Sequence, residues 1–338
     1  MIYIQNKVSD ITNNYYRYLM NLENVNGVGF GNKHINGVNT KEPCIHVLVE
    51  KKVKNQNISS NNIIPKTYMG IKTDVIEVGV LKELGIKYDG FTRIRPLQGG
   101  YLISSGDAVG TLGCIVSSNI DFMSSGDSDD DSDYEGDESN LPSQTPLEKH
   151  YYILSNNHVL TNNETKAIGS EILQPGIIED DKSQVVARLA TYIPIKFMES
   201  DQGPINEMDC ALAKIYNNQL ISNKIASIGK IKGVAKPSLG AFVEKAGAFS
   251  GVTFGSILTM NATHTVQKLN KKQLLYKNQI IASMKSEPGD SGSVVLDDFE
   301  KVIGLLFAGG KSDSGEDISV FSDISSILFT LGIDIYTT

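Results

Sequence analysis

The sequence predicts a mostly β protein. It has a small N-terminal α+β unit over residues 1–88, a long β-rich region over residues 89–338, and a helix near its end. Three observations carry this. From about residue 91 onward, short apolar runs are separated by Gly, Asn and Ser, the pattern of an all-β barrel or sandwich. Apolar residues recur at helical spacing in 9–23 and again in 322–331. The chain has 338 residues and 40% hydrophobic content, enough for about two domains with a sizeable core.

The elements follow in order. Ile11, Tyr15, Tyr18, Leu19 and Leu22 suit an amphipathic helix over residues 9–23. Strands are expected near 26–34 and 43–51, joined through the turn-forming Asn and Gly of residues 32–40, with a further strand at 72–80. The run Gly27-x-Gly29-x-Gly31 superficially suggests a phosphate loop. It lacks the third-glycine spacing and a following helix, so structural glycine in a strand is the better reading. Residues 118–147 interrupt the β pattern and are rich in Ser, Asp and Gly. Such a segment buries too little surface to offset its ordering entropy, so a mobile insertion is expected. Asp127, Asp129, Asp131, Asp133, Glu135 and Glu138 also fall on the ligand positions of an EF-hand-like loop, but Ser132 stands where the turn glycine belongs. At the end, Ile324, Ile327, Leu328 and Leu331 recur at i, i+3, i+4, i+7, and Gly332 stops the helix.

Composition narrows the function. The net charge of −8 is matched by eight acids within 127–138 (Asp127, Asp129, Asp130, Asp131, Asp133, Glu135, Asp137, Glu138). The rest of the chain is balanced, which argues against a nucleic-acid partner. No run of about 18 apolar residues suggests a membrane span. The N-terminus lacks the basic–apolar–small pattern of a secretory signal. Cys44, Cys114 and Cys210 lie in apolar contexts without zinc spacing. An odd, sparse count fits unpaired thiols in a reducing cytoplasm. No metal and no cofactor is expected.

The chemistry concentrates in Gly289-Asp290-Ser291-Gly292-Ser293, between Glu287-Pro288 and Val294-Val295-Leu296. A serine hydroxyl needs a positioned base to act as a nucleophile. A glycine turn lets backbone N–H groups converge where an oxyanion would form. Among five histidines only His158 has a supporting context, at the exit of the β-type run Tyr151-Tyr152-Ile153-Leu154 and after the turn-forming Ser155-Asn156-Asn157. Asp209 stands directly before the apolar Cys210-Ala211-Leu212-Ala213. A carboxylate there is costly unless paired, and an imidazole N–H is a suitable partner. Cys210 should point away from any such site because side chains alternate along a strand.

The order His158, Asp209, Ser291 is that of chymotrypsin-type triads. With the segments 154–160, 208–212 and 303–310, the chain resembles the trypsin/chymotrypsin-like serine protease superfamily. Gly27-Val28-Gly29-Phe30-Gly31, residues 45–52, Gly110-Thr111-Leu112-Gly113-Cys114 and SNNHVL give a narrower resemblance. It is to bacterial trypsin-like proteins with an extra N-terminal α+β domain, which the plant narrow-leaf proteins look similar to.

The resemblance implies a chymotrypsin-like double β-barrel with the cleft between the barrels, the first running to about 216 and the second from about 222 to 320. It implies a serine endopeptidase acting on a peptide or protein substrate. His158, Asp209 and Ser291 would be catalytic, and the N–H groups of Gly289 and Ser291 would form the oxyanion hole. The strand containing Phe307, Ala308 and Gly309 would pair with substrate backbone. Lys285, six residues before the serine, would stand near the specificity-pocket floor and favour acidic or polar side chains, or else be a solvated loop lysine. Residues 247–253 resemble a corner of the second barrel. Extracellular relatives are switched on by a fresh N-terminus that pairs with the aspartate before the serine. No activation sequence is evident here, so Asp290 needs another partner, or the oxyanion loop is unformed at rest. A homo-oligomer or a regulatory partner would then complete the site. The alternative is a catalytically silent protease-fold module that holds a peptide, and an esterase could use the same residues.

Overall fold

The computed structural model describes residues 2–35, 37–53, 59–80, 82–83, 92–123, 148–176, 184–198, 203–267, 273–312 and 314–338. The acidic run 127–138, with both the mobile-insertion and EF-hand readings of it, lies outside the described residues.

The N-terminal unit is a helix, Ile2–Asn14, and a short one, Arg17–Met20, packed on a hairpin of Val25–Ile35 and Val38–Val49. Ile71–Glu77 adds parallel to the second hairpin strand. Val8, Ile11, Leu19 and Leu22 bury against Val28, Phe30, Ile45 and Val47, each worth about 1.5–3 kcal/mol of gross apolar transfer. The helix starts earlier than the periodicity of 9–23 suggests. It ends at Asn13-Asn14, poor helix formers. Tyr15 and Tyr18 consequently leave the buried face. Both are about half exposed, and Tyr18 stacks on Tyr68 with ring centroids 5.4 Å apart.

This unit continues directly into the second barrel. Val25–Ile35 pairs antiparallel with Gly251–Gln267, Gly27 opposite His264 and Gly31 opposite Thr259. One twelve-stranded sheet therefore includes both regions. The glycines make the close approach: a Cβ on Gly29 would overlap the Thr259 side chain, and one on Gly31 the His46 ring. That is a strand role and not a phosphate loop.

The first barrel is an eight-stranded sheet. Its order runs Asp334–Ile335, Cys114–Ser118, His150–Ser155, Ala211–Ile215, Val185–Tyr192, Glu171–Leu173, Leu102–Ser104, Val109–Thr111. Its interior holds Leu97, Ile103, Leu112, Ile153, Ile172 and Leu189. A second apolar cluster joins the barrels, with Leu154 and Leu212 from the first meeting Val294, Leu296 and Leu305 from the second.

The C-terminal helix spans Ile324–Leu331, capped by Asp323, whose side chain accepts from the Ser326 N–H, and by Gly332 at φ 61°. Ile324, Ile327 and Leu331 are its buried stripe. The chain then returns to the first barrel, where Asp334–Ile335 closes the edge of Cys114–Ser118.

Candidate active site

Adjacent strands bring His158 and Asp209 together. His150–Ser155 and Ala211–Ile215 pair with Ser155 opposite Ala211. The residues just beyond this end of the ladder therefore meet. Asn156 is still extended, and residues Asn157–Leu160 make one helical turn carrying His158. The two asparagines fix that turn. Asn156 Nδ2 donates to the Asp209 carbonyl at 2.7 Å, and Asn157 Nδ2 to the Ile193 carbonyl at 2.7 Å.

The result is a buried pair: His158 Nδ1 lies 2.6 Å from Asp209 Oδ2, and the His158 backbone N–H donates to Asp209 Oδ1 at 3.3 Å. Facing a carboxylate, Nδ1 carries the proton, so Nε2 presents its lone pair. Next to Asp209, Cys210 is fully buried in the inter-barrel cluster, its thiol pushed above the ordinary range by burial and by the Asp209 charge. It takes no part in the site.

Ser291 comes from the second barrel on a tight turn. The Asp290 N–H donates to Glu287 O, Gly292 N–H to Leu306 O and Ser293 N–H to Asp290 O. Gly289 and Gly292 have φ of 98° and 93°, in the left-handed region where L side chains are strained. The turn is clamped to the first barrel: Thr111 N–H donates to Ser291 O at 2.8 Å and Thr111 Oγ1 to Gly289 O at 2.7 Å. Gly110 sits between the Val159 side chain and the Ser291 carbonyl, where a Cβ would clash with both. The serine turn and the histidine turn thus flank one glycine. Among the described residues the N–H groups of Gly289 and Ser291 donate to no chain acceptor, and the buried Ser291 hydroxyl makes no hydrogen bond.

Asp290 is fully buried and fully paired. Its Oδ2 accepts from Lys245 Nζ at 2.9 Å, Ser250 Oγ at 2.6 Å and the Glu287 N–H at 2.9 Å. Its Oδ1 accepts from the N–H groups of Phe249 and Ser250, both at 3.1 Å. Burial alone would raise its pKa. The Lys245 charge and these donors outweigh burial and hold the carboxyl below its ordinary value. Burial likewise draws the Lys245 ammonium below the usual lysine range, against the opposing pull of Asp290. The segment 247–253 does turn a corner between two strands, and it also binds Asp290. Lys245 escaped sequence reasoning. Its signal was a lysine inside the strand-like Phe242–Gly247 together with the unmet need of Asp290 for a cation.

Of the residues the resemblance puts on the substrate side, Lys285 follows the solvated-loop alternative. Lys285 is half exposed and pairs with Glu287 at 3.0 Å, so it is not a buried pocket-floor cation. The small polar residues behind the serine loop are Ser286 and Ser319. Ser319 Oγ donates to Met284 O at 2.7 Å and lies 2.9 Å from Ser286 Oγ, while a Cβ on Gly309 would overlap Ser286 Oγ. The Phe307 ring is buried against Tyr276 and His264, with centroids 4.6 and 6.3 Å away. It is part of the core. Phe307, Ala308 and Gly309 lie within the strand Val302–Lys311.

A second cluster, His34, His46 and Asp74, has ligand-type atoms within 4.8 Å of one another. It does not suit a metal. His46 uses both ring nitrogens, on Thr259 Oγ1 at 2.7 Å and on Asn32 O at 2.9 Å, and Lys33 Nζ already stands 3.7 Å from Asp74.

A family model described as Trypsin matches residues 147–329, more than half of the chain. Among solved structures, Thermobifida fusca Protease A aligns with a TM-score of 0.47 at 15% identity, over 71% of this chain and 98% of that one. A Nocardiopsis protease aligns with a TM-score of 0.45 at 14% identity, over 71% and 98%. A glutamic acid specific serine protease, said to use a histidine triad in substrate binding, aligns with a TM-score of 0.46 at 15% identity, over 71% and 100%. No curated protein matches the chain.

Proposed function

The chain belongs to the trypsin family, and from that premise we propose that it is a serine endopeptidase. The observation that carries this is the buried 2.6 Å His158–Asp209 pair beside a serine turn whose Gly289 and Ser291 N–H groups have no acceptor among the described residues. A carboxyl fixing one imidazole nitrogen leaves the other as a base for Ser291 Oγ. The hydroxyl attacks a peptide carbonyl and its proton passes to His158 Nε2. The Gly289 and Ser291 N–H groups take the developing oxyanion. His158 then returns the proton to the leaving amine, and water completes the cycle by the same relay. The unengaged Ser291 hydroxyl fits this sequence, because catalytic hydrogen bonds commonly tighten only when substrate is present. Peptide or protein is the proposed substrate. A reducing, cytoplasmic setting is the proposed location, supported by three buried unpaired cysteines.

The same unengaged hydroxyl favours a second reading, a silent module that holds a peptide without cutting it. A fluorophosphonate probe separates the two. The peptidase predicts covalent labelling that disappears in Ser291→Ala, together with cleavage of members of a peptide library. Folded protein that resists labelling at any probe concentration would favour the silent module. Labelling with ester turnover but no peptide products would favour an esterase.

A further inference from the structure

The edge of the strand Val302–Lys311 is already occupied. On one side this strand pairs with Asp317–Asp323, Ala308 opposite Val320 and Gly309 opposite Ser319. On the other side Val294–Leu296 covers it as far as Leu305, and the Gly292 and Ser293 backbone reaches Leu306. Past Leu306 that second edge passes to a different part of the chain: Glu83 pairs antiparallel with Ala308 and Lys82 with Gly309. Lys82 also pairs parallel with Gln267.

The path into this contact is well anchored. The Val78 N–H donates to Val49 O at 2.9 Å, and the Val78 side chain is fully buried in the cluster holding Phe307, Ala308 and Ile318. Gly79 adopts φ 65° and lies against the Lys311 carbonyl so closely that a Cβ would overlap it. Gly79 thus lies beside Lys311, Lys82 opposite Gly309 and Glu83 opposite Ala308, each closer along that strand to the serine turn.

An extended peptide added to a sheet edge is held by main-chain hydrogen bonds. A backbone already bonded there must leave first. We propose that Lys82–Glu83, in the segment joining the N-terminal unit to the barrels, is an intramolecular occupant of the edge on which a peptide substrate pairs. This rests on the reading of Ser291 as the nucleophile of a peptide-cleaving site. The occupant blocks extended peptides and leaves the serine turn itself open to small acyl groups. If it holds the edge nine-tenths of the time, the apparent affinity for an extended peptide falls about tenfold. The N-terminal unit then has a regulatory role: any event that shifts Val78 or Gly79 frees the edge.

The test replaces Lys82 and Glu83 together by proline (Lys82→Pro, Glu83→Pro), which removes the backbone donors without touching the triad or the oxyanion turn. Three readouts are taken on the full-length wild type and variant: fluorophosphonate labelling, hydrolysis of a small nitrophenyl ester, and hydrolysis of a positional library of acetylated tetrapeptide anilides. The expected result is equal labelling and ester turnover, with kcat/KM for the anilides about tenfold or more higher in the variant. Equal labelling with unchanged anilide hydrolysis overturns the proposal and leaves the nucleophile assignment standing. Labelling absent from both proteins overturns the nucleophile assignment instead. Amide exchange at residues 82 and 83, followed in Ser291→Ala with the tetrapeptide pool present, needs neither catalysis nor the proline variant. Acceleration by peptide supports the shared edge, and exchange unaffected by bound peptide overturns it.

Discussion

Lys245 Nζ stands 2.9 Å from Asp290 Oδ2, and neither side chain has any solvent exposure. Asp290 is the residue before the proposed nucleophile, so this ion pair ties the serine turn to the middle of the strand Phe242–Gly247. The cation that the resemblance would have a fresh N-terminus bring to this aspartate is supplied here by a lysine inside the chain. Removing the lysine while keeping the aspartate strands a buried charge, which typically costs about 3–5 kcal/mol. Lys245→Met should therefore melt well below wild type and lose peptidase activity. Lys245→Met combined with Asp290→Asn should regain much of the melting temperature. A double variant no more stable than Lys245→Met would show that the two groups are not energetically coupled.

The same pair should set an alkaline limit on the proposed activity. Burial draws the Lys245 ammonium below the ordinary lysine value of 10.5. As pH rises through its folded value the ammonium discharges, Asp290 loses its cation and the serine turn loosens. A pH–rate profile should thus fall on the alkaline side at a pH below 10.5. Lys245→Arg keeps its charge over the whole accessible range, so the fall should move upward or vanish in any folded Arg variant. An alkaline limb identical in both proteins would assign the limit to another group.

Asp209 should act through tautomer control. The carboxylate oxygen 2.6 Å from His158 Nδ1 demands a proton on that nitrogen. An Asp209→Asn amide can turn its NH₂ towards the ring, favouring the tautomer whose Nε2 already carries the proton. The expected loss is about 10⁴-fold in kcat with little change in fold. Circular dichroism and melting measured alongside kcat separate this from unfolding. A kcat within tenfold of wild type would remove Asp209 from the mechanism.

Local patterns brought out His158, Asp209 and Ser291 as candidates. His158 and Asp209 each sit at the end of a recognisable strand, and Ser291 lies in a short glycine turn whose meaning is local. The C-terminal helix was readable for the same reason, its stripe and its Gly332 stop being consecutive. What could not be read depends on pairing between distant segments. Lys245 meets Asp290 only because strand pairing sets Glu244 and Lys245 opposite Leu296 and Val295, just past the serine turn. Gly29 and Gly31 read as structural strand glycines, but what they face, Thr259 from Gly251–Gln267 and His46 from Val38–Val49, depends on pairing with two other strands. The offset of Lys285 from Ser291 leaves pocket floor and solvated loop both open, and only its pairing with Glu287 selects the second. The strand Asp334–Ile335 is too short to carry a pattern, so its return to the first barrel had no sequence signal.

Two buried histidines outside the site should make the fold sensitive to acid. Burial, the largest influence on each, lowers His46 and His264 from 6.5 to about 4. The Asn32 carbonyl and Asp74 oppose that shift at His46 while His34 and Lys33 add to it, and at His264 the Thr265 carbonyl opposes it. Both rings are neutral in the fold, whereas in the unfolded chain they take up protons below pH 6.5. Their stabilisation is therefore complete above 6.5, declines as pH falls from 6.5 towards 4, and is spent below that. The loss is of order 3 kcal/mol for each histidine across the window. His264 is the cleaner test, since its ring lies nearly parallel to Tyr276 and Phe307, at interplanar angles of 21° and 17°, and its buried Nε2 has no hydrogen-bond partner among the described residues. Replacing it by phenylalanine keeps the aromatic packing and removes both the titration and the unsatisfied nitrogen. His264→Phe should match or exceed wild-type stability at pH 7 and lose about half as much between pH 6.5 and 4. Urea unfolding at a series of pH values reads this directly, and a variant whose acid sensitivity equals that of wild type would place the proton uptake elsewhere.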